Sequence, residues 1–96
     1  MEDVERLVVA ARRSVVQLVA RAQRQIATGA DVDRIQTRYV GRALTRLDDA
    51  EAYAVLAAAG DEDALAAIKD IIAELEALNE HLQGQRPGQE GDDADR

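Results

Sequence analysis

The sequence predicts an all-α protein, and three observations support this fold class. Apolar residues recur at intervals of three and four, the spacing of a helix with one buried face. Glycine followed by aspartate divides the chain into segments of helical length, at Gly29 with Asp31 and at Gly60 with Asp61. No segment alternates apolar and polar residues as a half-buried strand does. We therefore expect a single helical domain over residues 1–83, either an antiparallel three-helix bundle or a helical hairpin plus a third helix.

The three predicted helices have similar lengths. The first covers about residues 3–28, the second about 32–59 and the third about 62–83. The acidic pair Asp48–Asp49 leaves open whether the second helix is continuous. The remaining segment, 84–96, contains glycine, the only proline and almost nothing apolar. Such a composition predicts a disordered acidic tail.

The core that this composition predicts is small. The 96 residues include no Phe or Trp and only two Tyr, and 23 Val, Leu and Ile residues stand beside 19 alanines. A chain this short buries only about 60% of its unfolded surface, and alanine adds little to that area. Because apolar burial contributes roughly 25 cal/mol per Å², we expect a marginally stable monomer that gains from self-association or from a protein partner.

The third helix contains a stretch typical of a leucine zipper, LAAIKDIIAELEALNEHL at 65–82. Positions a and d of its heptads hold Leu65, Ile68, Ile72, Leu75, Asn79 and Leu82. A lone asparagine at a is typical of parallel dimers. However, Ile71 and Leu78 occupy the g positions, where a zipper carries charge, so the apolar face has the width of a bundle helix. We favour the bundle helix over the zipper, and Ile71, Leu78 and Leu82 are candidate partner contacts.

The first helix carries two apolar stripes. The main stripe consists of Val4, Leu7, Val8, Ala11, Val15, Leu18, Val19, Ala22 and Ile26. A second stripe at Val9 and Val16, continued by Ala20 and Ala27, lies more than a quarter turn away. Two interpretations remain open: the helix lies centrally between the other two, or one stripe faces another chain. Val9 and Val16 are therefore also candidate partner contacts.

Charge is divided unevenly along the chain. Residues 1–47 hold nine basic and five acidic residues, and residues 48–96 hold three basic and fourteen acidic ones, so the net charges are +4 and −11. The second helix contains an arginine ladder at four-residue spacing, formed by Arg34, Arg38, Arg42 and Arg46. Three explanations stay open for it: a solvated face, ion pairs with the acidic side of the third helix (Asp70, Glu74, Glu76 and Glu80), or binding to nucleic-acid phosphates.

A short stretch, VLAAAGDEDALAAI at 55–68, resembles the helix-turn-helix motif. The resemblance rests on Leu56, Ala57, Gly60, Leu65 and Ile68, and it implies a second helix whose start faces DNA. Three acidic residues, 61–63, occupy that start. We therefore keep a nucleic-acid-associated regulator, acting through the arginine ladder, only as the alternative function.

No catalytic or metal-binding motif is found. The chain has no cysteine, and its one histidine, His81, lacks the Glu-x-x-His spacing of a bundle metal site; we expect it to be a solvated residue or a charge near a helix end. Ser14, the only serine, has no nearby base. We expect no enzymatic activity, no cofactor and no metal.

The sequence also lacks an apolar run long enough for a membrane span, and its acidic start differs from a signal peptide. We expect no membrane association and a cytoplasmic protein. The predicted function is a non-enzymatic protein-interaction or assembly module: an adaptor, small chaperone, scaffold subunit or inhibitor. Its partner would be another protein or a second copy in a homo-oligomer.

Overall fold

The computed structural model describes residues 2–84, with side chains from Val4 onward. Its elements in chain order are α1 (Glu2–Ala27), α2 (Val32–Ile35), a π-helical turn (Gln36–Val40), α3 (Gly41–Ala58) and α4 (Glu62–Gly84). The backbone stays helical across both junctions of the π-helical turn, so α2, the turn and α3 form one rod. The predicted disordered tail lies outside the described residues, except that Gly84 is the last residue of α4.

Three helical bodies therefore pack together in residues 2–84, namely α1, the rod and α4. This arrangement confirms the all-α, three-helix prediction. Contacts between side chains give the directions: Arg12 of α1 pairs with Glu51 of α3, and Arg42 of α3 pairs with Glu74 of α4. Arg21 of α1 bonds to Asn79 of α4. The rod consequently runs antiparallel to both α1 and α4.

Glycine and aspartate form the two connections. Gly29 and Gly60 have φ of 108° and 104°, a left-handed conformation that only glycine adopts without strain. The side chain of Asp31 accepts a hydrogen bond from the backbone N–H of Arg34, and that of Asp61 accepts one from the N–H of Ala64. Each aspartate therefore satisfies a donor that the first helical turn leaves open.

The core lies along the axis shared by the three bodies. Its largest fully buried side chains are Leu18, Ile35, Tyr39, Ile68, Leu75 and Leu82. α3 contributes mainly methyl groups to this core, because its buried residues are Ala43, Ala50 and Ala57. The acidic pair at 48–49 lies within α3, so the second predicted helix is continuous there, and its irregularity lies upstream, at the π-helical turn.

The zipper-like stretch forms an ordinary bundle helix. The apolar residues of α4 at heptad positions a, d and g are all buried or partly buried against the chain's own core. This packing leaves no apolar seam of α4 for a parallel partner helix. Ile71 and Leu82, which the sequence suggested as partner contacts, are core residues of the described chain.

Candidate functional site

The second stripe of α1 is exposed rather than covered. Val9 and Val16 leave 48% and 68% of their surface open, whereas the main stripe is buried or partly buried. α1 packs against both the rod and α4, and this packing covers its main stripe but leaves Val9 and Val16 of the second stripe exposed. The side chains of Val9 and Val16 are therefore free to contact a group that lies outside the described residues.

α3 adds exposed apolar residues to the same side of the molecule. Leu44 is 48% exposed and Val55 is 72% exposed. Both lie within about 40° of Glu51 around the helix at 100° per residue, and Glu51 is the residue that pairs with α1. We call the surface formed by Val9, Arg12, Val16, Leu44, Glu51 and Val55 the α1–α3 face.

One end of the α1–α3 face is concave. A groove of about 520 Å³ runs between the two helices. Its walls are made by Val4, Glu5, Val8, Val9 and Arg12 on α1 and by Ala54, Val55 and Ala58 on α3. Because the α3 wall contains two alanines, the helix surface is recessed there. An apolar side chain from outside the chain would fit into this recess.

An ion pair crosses the middle of the α1–α3 face. Arg12 donates two hydrogen bonds from Nε and Nη2 to Oε2 of Glu51, at 3.0 and 2.8 Å. The Arg12 and Glu51 side chains are 59% and 40% exposed, so the pair contributes little to the stability of the monomer. It does place one positive and one negative group side by side among the exposed aliphatic residues of this face, where Glu5 of the groove wall adds a further acidic group.

The candidate contacts predicted from the sequence fall in two different places. Val9 and Val16 lie on the α1–α3 face, whereas Ile71 and Leu82 are buried and Leu78 packs partly buried against the core. Sequence reasoning did not single out Leu44 and Val55. Their separation of eleven residues, three helical turns, is the signal that places both on one side of a helix.

The arginine ladder pairs partly within the chain. Arg42 Nε donates to Glu74 Oε2 at 2.7 Å, and Arg46 Nε lies 3.1 Å from Glu74 Oε1. Arg46 also donates to Asp49. Of the four acidic residues suggested on the third helix, Glu74 is the one that forms these pairs in the described part of the chain.

These contacts shift two pKa values. Burial is the largest single influence on the Glu74 carboxyl and raises its pKa, but hydrogen bonds and charges from Arg42 and Arg46 together outweigh it and leave the pKa lowered. The pKa of Arg46 is raised, mainly by its hydrogen bond to Glu74 and by the charge of that carboxylate. Both shifts favour the charged pair over the neutral one.

The π-helical turn places Tyr39 in the core beside α4. Tyr39 is fully buried, and its hydroxyl shares a hydrogen bond with Nδ1 of His81. An open depression of about 620 Å³ adjoins the two rings, and Arg38 and Glu74 are among its lining residues. The sequence predicts that His81 is a solvated residue or a charge near a helix end. His81 is exposed, and it also shares this hydrogen bond with Tyr39.

Asn79 is held by three hydrogen bonds. It is only 6% exposed, and its Nδ2 donates to the carbonyls of Ser14 at 2.9 Å and Leu75 at 3.2 Å. Its Oδ1 accepts a hydrogen bond from Arg21 at 2.8 Å. Asn79 therefore joins α4 to α1 within one chain, and its amide is satisfied although it is buried.

The described residues contain no cluster of three or more histidine, cysteine or acidic side chains placed to hold a metal ion. Among them, no helix combines the length and the apolar character that a membrane span requires. No protein-family model matches the sequence, and comparisons with curated proteins and with solved structures give no significant match.

Proposed function

We propose that the protein is a non-enzymatic interaction or assembly module whose α1–α3 face binds a helix of another polypeptide. The observation that carries this proposal is the exposure of four large aliphatic residues, Val9, Val16, Leu44 and Val55, on one side of two adjacent helices. Single exposed aliphatic residues are common on soluble proteins. Several that share a face beside a groove are typical of a binding surface.

The spacing of these residues suits a helical ligand. Val9 and Val16 are two helical turns apart on α1, and Leu44 and Val55 are three turns apart on α3. A helix laid along the groove would place residues at intervals of three, four and seven against both walls. Arg12 and Glu51, at the middle of the face, would then favour one orientation of a charged ligand.

The expected affinity is moderate. Fully burying a Val or Leu side chain contributes roughly 1.5–3 kcal/mol, and these four are already partly covered. Their summed contribution is therefore roughly 4–7 kcal/mol, which is no larger than the entropic cost of association. The apolar residues that the ligand buries in return must add a similar amount to reach a micromolar dissociation constant. Such a complex can be reversible, as adaptors and assembly factors require.

Co-purification with matched variants tests the proposal. The double variant Val16→Lys/Val55→Lys places two charges on the α1–α3 face. Leu56→Lys is the control, since Leu56 is exposed on α3 but lies about 100° further round the helix than Val55. We expect proteins retained by the wild type and by Leu56→Lys to be lost from the double variant. Retention of the same proteins by the double variant would contradict the proposal.

The alternative, a nucleic-acid-associated regulator, has one supporting observation. Arg38 is exposed beside the open depression at the π-helical turn. Arg42 and Arg46 give less support, because Glu74 already neutralises part of their charge. A binding titration with duplex DNA and with single-stranded RNA at low and moderate salt tests this function. Binding that weakens with salt and is lost in Arg38→Glu would favour it over the protein-interaction proposal.

A further inference from the structure

We propose that the polypeptide bound by the α1–α3 face is a second copy of this chain. The two copies would be related by a two-fold axis parallel to the helices. Together, α1 and α3 of both copies would form a four-helix bundle. This inference rests on the proposed function, because it names the partner of the same face.

Helix geometry allows this pairing. A two-fold axis that runs along the helix direction over the α1–α3 face, centred between the two helices, lays α1 of each copy over α3 of the other. It leaves every residue at its own height along the bundle. Since α1 and α3 are antiparallel within one chain, each new helix contact is antiparallel as well. This is the arrangement of up-down four-helix bundles, in which helix dipoles oppose one another.

Arg12 and Glu51 make two copies of the α1–α3 face complementary in charge. Arg12 and Glu51 lie at the same height, since their charged groups are 2.8 Å apart. The two-fold operation therefore places Arg12 against Glu51 of the second copy and Glu51 against Arg12 of the second copy. Four charges of alternating sign then form one layer. The pair of Arg12 and Glu51 side by side is self-complementary in this way, as an isologous interface must be.

Apolar residues lie on either side of that charged layer. Val9 lies three residues from Arg12 and Val55 four residues from Glu51, both towards the end of the bundle that holds the groove, so the two valines lie at nearly the same height. Two copies therefore give a layer of four valines. Val16 lies about one helical turn from Arg12 in the other direction along α1, and Leu44 lies about two turns from Glu51 towards the same end of the bundle. Two copies would thus bury apolar residues both above and below the charged layer.

The size of the face sets the expected strength. The 18 residues of α3 are about 27 Å long, and two packed helices are about 20 Å wide, so each copy offers on the order of 500 Å². Interfaces of this size lie at the weak end of those known for specific complexes. We therefore expect a monomer–dimer equilibrium with a micromolar dissociation constant rather than an obligate dimer.

Sedimentation of charge-exchanged variants tests the inference. In Arg12→Glu the charged layer of a dimer would hold four carboxylates, and in Glu51→Arg it would hold four guanidinium groups. Each variant alone should dimerise at least about tenfold more weakly than the wild type. An equimolar mixture should recover dimers, because the contacts between an Arg12→Glu chain and a Glu51→Arg chain are again of opposite sign. The double variant Arg12→Glu/Glu51→Arg should dimerise like the wild type.

A second measurement covers the case in which a charge variant unfolds, as circular dichroism would reveal. The chain has no cysteine, so single cysteines can be introduced cleanly. A mixture of Val9→Cys and Val55→Cys chains should form disulfide-linked heterodimers on mild oxidation, and a mixture of Val9→Cys with Leu56→Cys should form far fewer.

Three results would overturn the inference. The wild type could sediment as a monomer up to millimolar concentration, or the charge substitutions could leave the dissociation constant of the dimer unchanged. The third result is a mixture of folded charge variants that stays monomeric. None of these alone removes the proposed function. That function fails separately, if Val16→Lys/Val55→Lys retains every partner of the wild type.

Discussion

Tyr39 on the π-helical turn and His81 on α4 are stacked, with ring centroids 5.6 Å apart, and they share a hydrogen bond. Tyr39 is the largest fully buried side chain in the core, in a sequence without Phe or Trp. The contact joins the upstream half of the rod to the carboxyl-terminal end of α4. It therefore links two parts of the chain that the short connection at Gly60 does not bring together.

Removing the Tyr39 hydroxyl should destabilise the fold. We expect Tyr39→Phe to lower the free energy of unfolding by about 1 kcal/mol, the typical net contribution of one hydrogen bond. The control is Tyr53→Phe, because Tyr53 is exposed and its change should have little effect. Urea unfolding followed by circular dichroism measures both variants.

The hydrogen bond between Tyr39 and His81 can be isolated with a double-mutant cycle. We expect His81→Ala to be less destabilising in the Tyr39→Phe background than alone, since the hydrogen bond is already gone there and only the ring contact remains to be lost. Additive losses in the cycle would mean that the two side chains act independently, contrary to the geometry.

Replacing Asn79 should lower the free energy of unfolding by more than its position near the end of α4 suggests. In Asn79→Ala, Arg21 loses its acceptor and a small cavity forms between α1 and α4, so we expect a loss of roughly 1–3 kcal/mol. Glu80→Ala, at the adjacent exposed position, is the control. Chemical denaturation of both variants measures the difference, and equal stabilities would show that the three hydrogen bonds of Asn79 contribute nothing.

Glu74 should make stability depend on acidic pH. Its pKa is lower in the folded chain than its ordinary value, so the unfolded chain binds the proton more readily. The stability that Glu74 contributes is therefore complete above the ordinary glutamate pKa and is lost as pH falls through the folded value. Glu74→Gln should flatten this part of the pH profile of unfolding. In an Arg42→Gln/Arg46→Gln background only burial remains, and it raises the pKa of Glu74, so the same substitution should there change the profile in the opposite sense.

Gly60 should resist substitution. Its φ of 104° is unfavourable for any residue with a Cβ, so Gly60→Ala should destabilise the protein by about 1 kcal/mol although no atom lies within 4 Å of the new methyl group. Gly84→Ala is the matched control, because Gly84 is equally uncrowded but lacks a positive φ. Thermal unfolding of the two variants should separate them, and equal stabilities would contradict the role of backbone conformation at Gly60.

The three-helix arrangement was predictable because Gly29, Asp31, Gly60 and Asp61 mark both connections chemically, and these signals are local. The π-helical turn was not predictable, since QTRYV contains neither glycine nor proline to mark a local irregularity. Gly41 closes the turn by donating its N–H to the carbonyl of Gln36. This wider turn accompanies the burial of Tyr39 beside α4, a contact between residues 42 positions apart.

The candidate site was predictable only in part. Periodicity separated the second stripe of α1, at Val9 and Val16, from the main one. Periodicity could not show that Ile71 is buried, because a helix whose apolar face is fully packed and a helix with part of that face exposed have the same apolar spacing. Leu44 and Val55 stand among charged residues and alanines, so their exposure follows from the packing of α3 and not from its pattern.

The alanine contacts of α3 have a consequence for motion. Downstream of Leu47, this helix is held to its neighbours by Ala50, Ala54 and Ala57, and side chains that small bury little area. Amide protons of this segment should therefore exchange with deuterated solvent through partial opening, before the whole chain unfolds. The same segment carries Glu51 and Val55, so anything that docks there would slow this exchange, and the docked state would be stiffer than the free one.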